Sequence, residues 1–473
     1  MMSYFEGKDA GREIIAPQSK GKFVIKQAEV DEISTKKNLA GKTYGGAITG
    51  MPNARTGAEL VSFWIDKAST ADGGRDTANG YDYPQLISKF IMGAVFYNQV
   101  VDGYLDEYLE ADKKPNDKPY GKGAAYTGKE HAWDEGFGYF GAPAHALTLS
   151  PAEVYAIAKR KDEAMTWADY NKDGMVDLKT EMVFGPAYYA AGSDKGGKTN
   201  YLHTITKAFL DGRKLLADAK GEKLSDAQRA ELKGYAKIVA DNWERVLAEA
   251  TFKYAGSVYK DMAKLKVIME SNGETDKALK TYVKHWGELK GFVLALQTGK
   301  SNLGETATRL NRLIGFGPLL PNKSQVTDID SDGNYLRDQG PAWGEYMLHM
   351  AKVQKLMIDE FGIKARANDV TGDMKDLAGK LGGKSKWRTI RAKTTAVGKL
   401  NKEATRLRRN SMYVDFVPSN RSLCRAMWEL VITSSWLNMR YHDFPDDRRH
   451  AAAPRDRCSS RPSPTPAPSS RAP

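Results

Sequence analysis

Cysteine is nearly missing: the chain of 473 residues has two, Cys424 and Cys458, both near its end. The stretch before Cys424 therefore holds no disulfide framework and no thiolate metal site, and it says little about redox compartment. Also lacking is any apolar run close to the ~20 residues a membrane helix needs. The longest candidate, Phe90 to Val101, is broken by Asn98 and Gln99. Residues 1–30 alternate charge with short apolar pairs, so no secretory signal is visible, and taken literally the chain is expected to stay in the cytoplasm. There is no phosphate loop, no dinucleotide fingerprint, no paired-cysteine zinc pattern and no zinc-protease helix signature. Strand-like alternation is scarce throughout.

What is present is a soluble composition, 41% hydrophobic and 27% charged, with a formal net charge of +12. Residues 401–473 contribute 13 Lys and Arg against 7 acids, which is half of that excess. Elsewhere the lysines are scattered as on solvated helix faces, so a nucleic-acid partner is not expected. Basic usage also switches after residue 400, to one Lys and 12 Arg, and the chain ends in RRHAAAPRDRCSSRPSPTPAPSSRAP. That tail is too poor in apolar residues to bury a core. It reads as a reading-frame slip near the end of the gene, the alternative being a natural disordered basic tail.

Helical periodicity organises the rest. Residues 1–80 are rich in Gly, Lys, Thr and Asp and are expected to be irregular, with one short helix near Ala58 to Ala68. After Pro84, Leu86, Phe90, Ala94, Tyr97, Val101, Tyr104 and Tyr108 recur at steps of three and four. Ser150 with Glu153 reads as a capping box opening a helix that runs towards Trp167, and Ser225 with Gln228 opens a long one. Further helices fit residues 199–217, 275–296, 305–313 and 343–361. The expected fold is all-α, a large helical bundle over residues 81–365 with irregular loops, followed by a helical or linker segment at 366–400 and the tail at 401–473. Oligomeric state is not set by any of this.

Two kinds of constellation could carry chemistry. In KEHAWDEGFGYFGAP, helical spacing puts Asp134 and Glu135 on the face of His131, with Glu130 pointing away; in KHWGELKGF, Glu288 stands three residues after His285. Two such half-sites facing each other in a bundle would suit zinc, iron or manganese. The bland alternative is a histidine held by its own carboxylate, with Trp133 and Trp286 as core. The second constellation is DYNKDGMVDLKTE: Asp169, Asn171, Asp173 and Asp177, with Gly174 for the sharp turn and the Met175 carbonyl, match the oxygen spacing of a calcium loop. The twelfth position is Thr180, and the expected carboxylate comes one residue later as Glu181. An Asp-rich turn without an ion is the competing reading. Asp328, Asp330, Asp332 and Gly333 begin a similar pattern, but Leu336 and Gln339 fill its later ligand positions, so a surface turn is expected there.

With these residues in hand, the chain resembles a bacterial family of unknown function, exported helical proteins marked by an EHxWDEaFGYFG motif. KFIMGAVFYNQ (89–99), YTGKEHAWDEGFGYFGAP (126–143), DLKTEMVFG (177–185), FLDGR (209–213) and HWGELKGFVLAL (285–296) fit in order, over about residues 36–365. The family's lipoprotein-type export signal and its chain end are not matched. More distantly the chain is similar to imelysin-like proteins, helical and extracytoplasmic, with a GxHxxE motif and ties to peptidase activity or iron uptake. Their His and Glu fall on His131 with Asp134 or Glu135, although Lys129 stands where the Gly belongs; His285 and Glu288 match the HxxE core. The resemblance implies a periplasmic or surface-lipoprotein location, a metal at His131, Glu135, His285 and Glu288, and a cell-surface or receptor protein as partner. The implied roles are metal or iron acquisition or a metal-dependent peptidase; a calcium-stapled interaction module is the third possibility.

Overall fold

A helix of 45 residues, Asp226–Glu270, forms the spine of the molecule, roughly 67 Å long at the usual rise. In this computed structural model the described residues are 2–8, 12–34, 38–299 and 303–380. The basic tail at 401–473 and the stretch at 381–400 lie outside them. The described residues are mostly helical and contain ten α-helices of eight residues or more: α1 (Gly57–Ser69), α2 (Tyr83–Ile91), α3 (Gly128–Phe140), α4 (Pro151–Ala158), α5 (Gly185–Asp194), α6 (Tyr201–Asp218), the spine α7, α8 (Asp276–Ala295), α9 (Gly304–Ile314) and α10 (Trp343–Phe361). The spine packs against α5, α6, α8 and α10, and α8 in turn carries α2. This is the expected all-α bundle.

The capping chemistry explains most of the starts. Thr56, Thr127, Ser150 and Ser225 each accept the N–H three residues on, and the Glu or Gln there returns a bond to the cap. The helix from Ser150 is shorter than its apolar pattern suggests. It ends at Ala158, because Arg160 turns to φ +50, and the path to Trp167 resumes as short turns at Asp162–Ala164 and Met165–Ala168. Beyond Ile91, α2 continues in a wider π winding over Met92–Tyr97 and Gln99–Tyr104. Gly93 is why that segment can lie close: a Cβ there would sit 2.3 Å from the Ala295 carbonyl oxygen of α8.

Among the described residues the longest strand pairing is a hairpin, Ser324–Ile329 antiparallel with Tyr335–Gln339; two other antiparallel pairings are two residues per strand. The hairpin's turn is the second aspartate pattern: Asp330 accepts the N–H groups of Asp332 and Asn334, and Gly333 takes φ +82. The irregular N-terminal segment shares the bundle's core. Phe5, Phe23, Val30 and Leu39 are fully buried in one hydrophobic cluster with Trp64, Trp133, Trp243 and Trp286.

Candidate functional site

The first histidine is walled in by its own motif. His131, on the first turn of α3, stacks on Tyr120 at 3.6 Å between ring centres and lies 5.7 Å from Tyr126. Its Nε2 lies 2.8 Å from Glu135 Oε1, one turn on. Asp134 turns away from the imidazole to Arg213 of α6, whose Nε is 3.2 Å from Asp134 Oδ1 and whose Nη1 donates to Glu130 Oε1 at 2.7 Å. Burial pushes the Asp134 carboxyl up to about 8, with Arg213 pulling the other way. Glu130 therefore does two jobs, closing the capping box on Thr127 and holding a buried guanidinium. Lys129 is buried as well, its Nζ donating to the carbonyls of Tyr108, Glu110 and Lys113, and burial lowers it to about 8. This chemistry fastens α3 to its surroundings.

The second histidine faces a cleft. His285 Nδ1 lies 2.6 Å from Asp261 Oδ2 on the spine, which fixes the ring and leaves Nε2 4.0 Å from Glu288 Oε2. Glu288, only 6% exposed, accepts the Tyr254 hydroxyl at 3.2 Å through Oε1, and Lys89 of α2 stands 3.9 Å from the same oxygen. The cleft has a volume of about 420 Å³, and His285, Glu288, Tyr254 and Lys89 line it together with Tyr188, Tyr189 and the Met182–Gly185 segment. An imidazole oriented by a carboxylate beside a second carboxylate is suited to accepting and passing protons or to reading a polar ligand.

The structure does not bring His131, Asp134, Glu135, His285 and Glu288 into one shared metal site. Among the described residues no group of three or more His, Cys, Asp and Glu side chains is disposed to hold a metal ion, and this includes the carboxylates of the Asp169 loop, which accept backbone N–H groups. Each histidine has its own carboxylate partner, and Asp134 belongs to Arg213.

The Asp169–Glu181 loop keeps its oxygens together by other means. Asp169 accepts the N–H groups of Asp173 and Gly174, Asn171 accepts that of Asp173, and Asp173 accepts that of Met175, which holds the Asp173 carboxyl below its usual range. Gly174 takes φ +85, the left-handed turn the spacing requires. Glu181 is buried and closes the loop ends, accepting from Tyr170, Asn171 and Asp177, although burial lifts its carboxyl above the ordinary range. Lys26 brings an ammonium to the open side, 3.3 Å from Asp173 and 3.7 Å from Asp177. Val176, facing inward, forms a parallel bridge with Ile25, and Gln27 donates to Asp177. Directly after Glu181 come Met182–Gly185, a wall of the cleft.

Sequence comparison bears on part of this arrangement. Residues 72–172 match the family model described as Domain of unknown function (DUF4856). That stretch is about a fifth of the chain; it contains Lys89, His131, Asp134 and Glu135 and stops short of His285, Glu288 and most of the Asp169 loop. No curated protein and no solved structure matches the chain. Among the described residues no helix is long and apolar enough to cross a membrane.

Sequence reading missed Asp261, Lys89, Tyr254 and Arg213. Asp261 lies on a different helix from His285, so no spacing rule connects them. Lys89 did leave a signal: it is the one charged residue between Pro84 and Asn98, inside an otherwise helical apolar stripe.

Proposed function

We propose that this protein is a calcium-stapled binding module, in which an ion in the Asp169 loop fixes the wall of the His285 cleft. The observation that carries the reading is the loop itself: Asp169, Asn171, Asp173, the Met175 carbonyl, Asp177 and Glu181 carry oxygens at calcium-loop spacing on a backbone turned by Gly174, and an ion would draw together carboxylates that here accept backbone N–H groups. That loop runs without a break into Met182–Gly185 of the cleft. The displaced carboxylate, Glu181 in place of Thr180, points to a weak site of the kind found in extracellular modules, with a Kd on the order of 10⁻⁴–10⁻³ M. Such an affinity suits a calcium-rich compartment outside the cytoplasm, as the resemblance to exported proteins also implies. The transition-metal carrier and the metallopeptidase both need several ligands converging on one ion, and the separated histidine motifs give them less support.

Calorimetric titration of the full chain with calcium, alongside Asp173→Ala and Lys26→Ala, tests this. Calcium binding is expected for the parent, is expected to fall at least tenfold in Asp173→Ala, and to persist or tighten in Lys26→Ala because that ammonium competes for Asp173 and Asp177. No calcium binding to the parent at millimolar concentration would overturn the reading.

A further inference from the structure

The cleft above α8 has an imbalance that neither calcium nor the histidine motif explains. Its lining includes Lys89, Lys159, Arg160, Lys253 and Lys284 against a single carboxylate, Glu288. Such a concavity concentrates anions, because low-dielectric walls focus the field of like charges. The positive potential registers on a neighbouring group. Burial would raise the Tyr155 hydroxyl, yet the Tyr188 hydrogen bond and the charges of Lys159, Lys195 and Lys253 bring it below its ordinary value.

The floor adds a second, independent demand. Glu288 is more than nine-tenths buried, and its Oε2 has no hydrogen-bond partner among the described residues; His285 Nε2 stands 4.0 Å away, beyond hydrogen-bond reach. A buried carboxylate oxygen left in that state costs free energy that a ligand hydroxyl would recover. The same cleft is lined by Tyr188, Tyr189 and Tyr254, with the Tyr189 and Tyr254 hydroxyls 3.4 Å apart. Tyrosine offers an apolar ring face for C–H groups and a polar edge for hydroxyls.

We propose that this cleft is a binding site for a small acidic sugar, whose carboxylate or phosphate is held by the rim lysines while a ring hydroxyl donates to Glu288. Lys253 and Lys284 hold the anionic group, Glu288 accepts the hydroxyl, and a tyrosine face packs on the ring. Lys89, buried beside Glu288, places its ammonium 3.9 Å from that carboxylate's other oxygen, Oε1. A volume of about 420 Å³ fits one sugar unit with its charged substituent and is at the small end of ligand sites.

The test is calorimetric titration of the full chain with glucuronate, galacturonate, N-acetylneuraminate and glucose 6-phosphate, with glucose and inorganic phosphate as controls. At least one of the four acidic sugars is expected to bind at least tenfold more tightly than both controls, with affinity falling as salt rises; whether it is a uronate, the neuraminate or the phosphate tells which anion the rim reads. Lys253→Met with Lys284→Met, both at the rim, is expected to lose tenfold or more of that affinity with an unchanged helical circular dichroism spectrum. Glu288→Gln is expected to lose affinity for the sugar but not for inorganic phosphate. The proposal is overturned if none of the four binds, if glucose or phosphate binds as tightly, or if the folded double variant binds as the parent does.

Discussion

At the scale of single residues, charge is placed according to what surrounds it, and the consequences are measurable. Arg213 is held between Glu130 and Asp134, and burial keeps a proton on Asp134 near neutral pH. Removing the guanidinium in Arg213→Met leaves Glu130 buried and unpaired and is expected to cost about 3–5 kcal/mol. Asp134→Asn replaces a neutral acid by a neutral amide and is expected to cost less than about 1.5 kcal/mol. Urea denaturation midpoints of the two variants check this; equal losses would mean that Asp134 is ionised and acts as a partner in its own right. Lys290 gives a pH dependence. It is fully buried, donates to Asn311 and the Gly315 carbonyl, and burial lowers it to about 7, so between that value and its unfolded value the unfolded chain binds the extra proton. Stability relative to Lys290→Met is therefore expected to rise as pH climbs from about 7 to about 10.5 and to be flat below about 7. Chemical denaturation across that range, parent against variant, reads the slope directly, and a difference independent of pH would refute the assignment.

At the scale of elements, what was legible in the sequence follows local physics. The capping boxes at Ser150 and Ser225 and the helix near Ala58–Ala68 depend on residues a turn apart, and they stand where their spacing puts them. The π winding after Ile91 was not legible, because its apolar positions mimic a 3.6-residue repeat, and the close approach of Ala295 to Gly93 within it involves a helix two hundred residues on. Two glycines, Gly93 after α2 and Gly234 in α7, should respond in opposite ways. Gly93→Ala is expected to destabilise by at least about 2 kcal/mol, since its Cβ would collide with backbone. Gly234→Ala, in the exposed early part of α7 with nothing within 4 Å, is expected to stabilise by about 0.5–1 kcal/mol. Thermal melts of the two variants would settle the comparison, and a tolerated Gly93→Ala would mean that α2 and α8 are not held at this distance.

At the scale of the whole molecule, the all-α bundle could be read from periodicity, but the candidate sites could not be assembled from it. The repeated His-to-carboxylate step suggested two halves of one metal centre. Tertiary packing gives His131 to a pair of tyrosines and Glu135, and His285 to Asp261, a residue no local pattern connects to it. Nor could the sequence show that Lys89, Lys253 and Lys284 meet at one cleft, since three scattered lysines look like solvated helix faces until the helices are packed. The turn at Gly174 was legible because the Asp169 loop's residues lie within thirteen positions; its tie to Ile25 and its continuation into a wall of the cleft were not. The most direct measurement is elemental analysis of the protein dialysed to equilibrium against about 10 mM calcium, enough to fill a site of that weakness, with the calcium of the buffer subtracted. The parent would be compared with Asp169→Ala plus Asp173→Ala and with His131→Ala plus His285→Ala. Stoichiometric calcium that disappears only in the aspartate variant, with no bound zinc, iron or manganese, is the expected result. A transition metal retained by the parent and lost with the histidines would contradict the account.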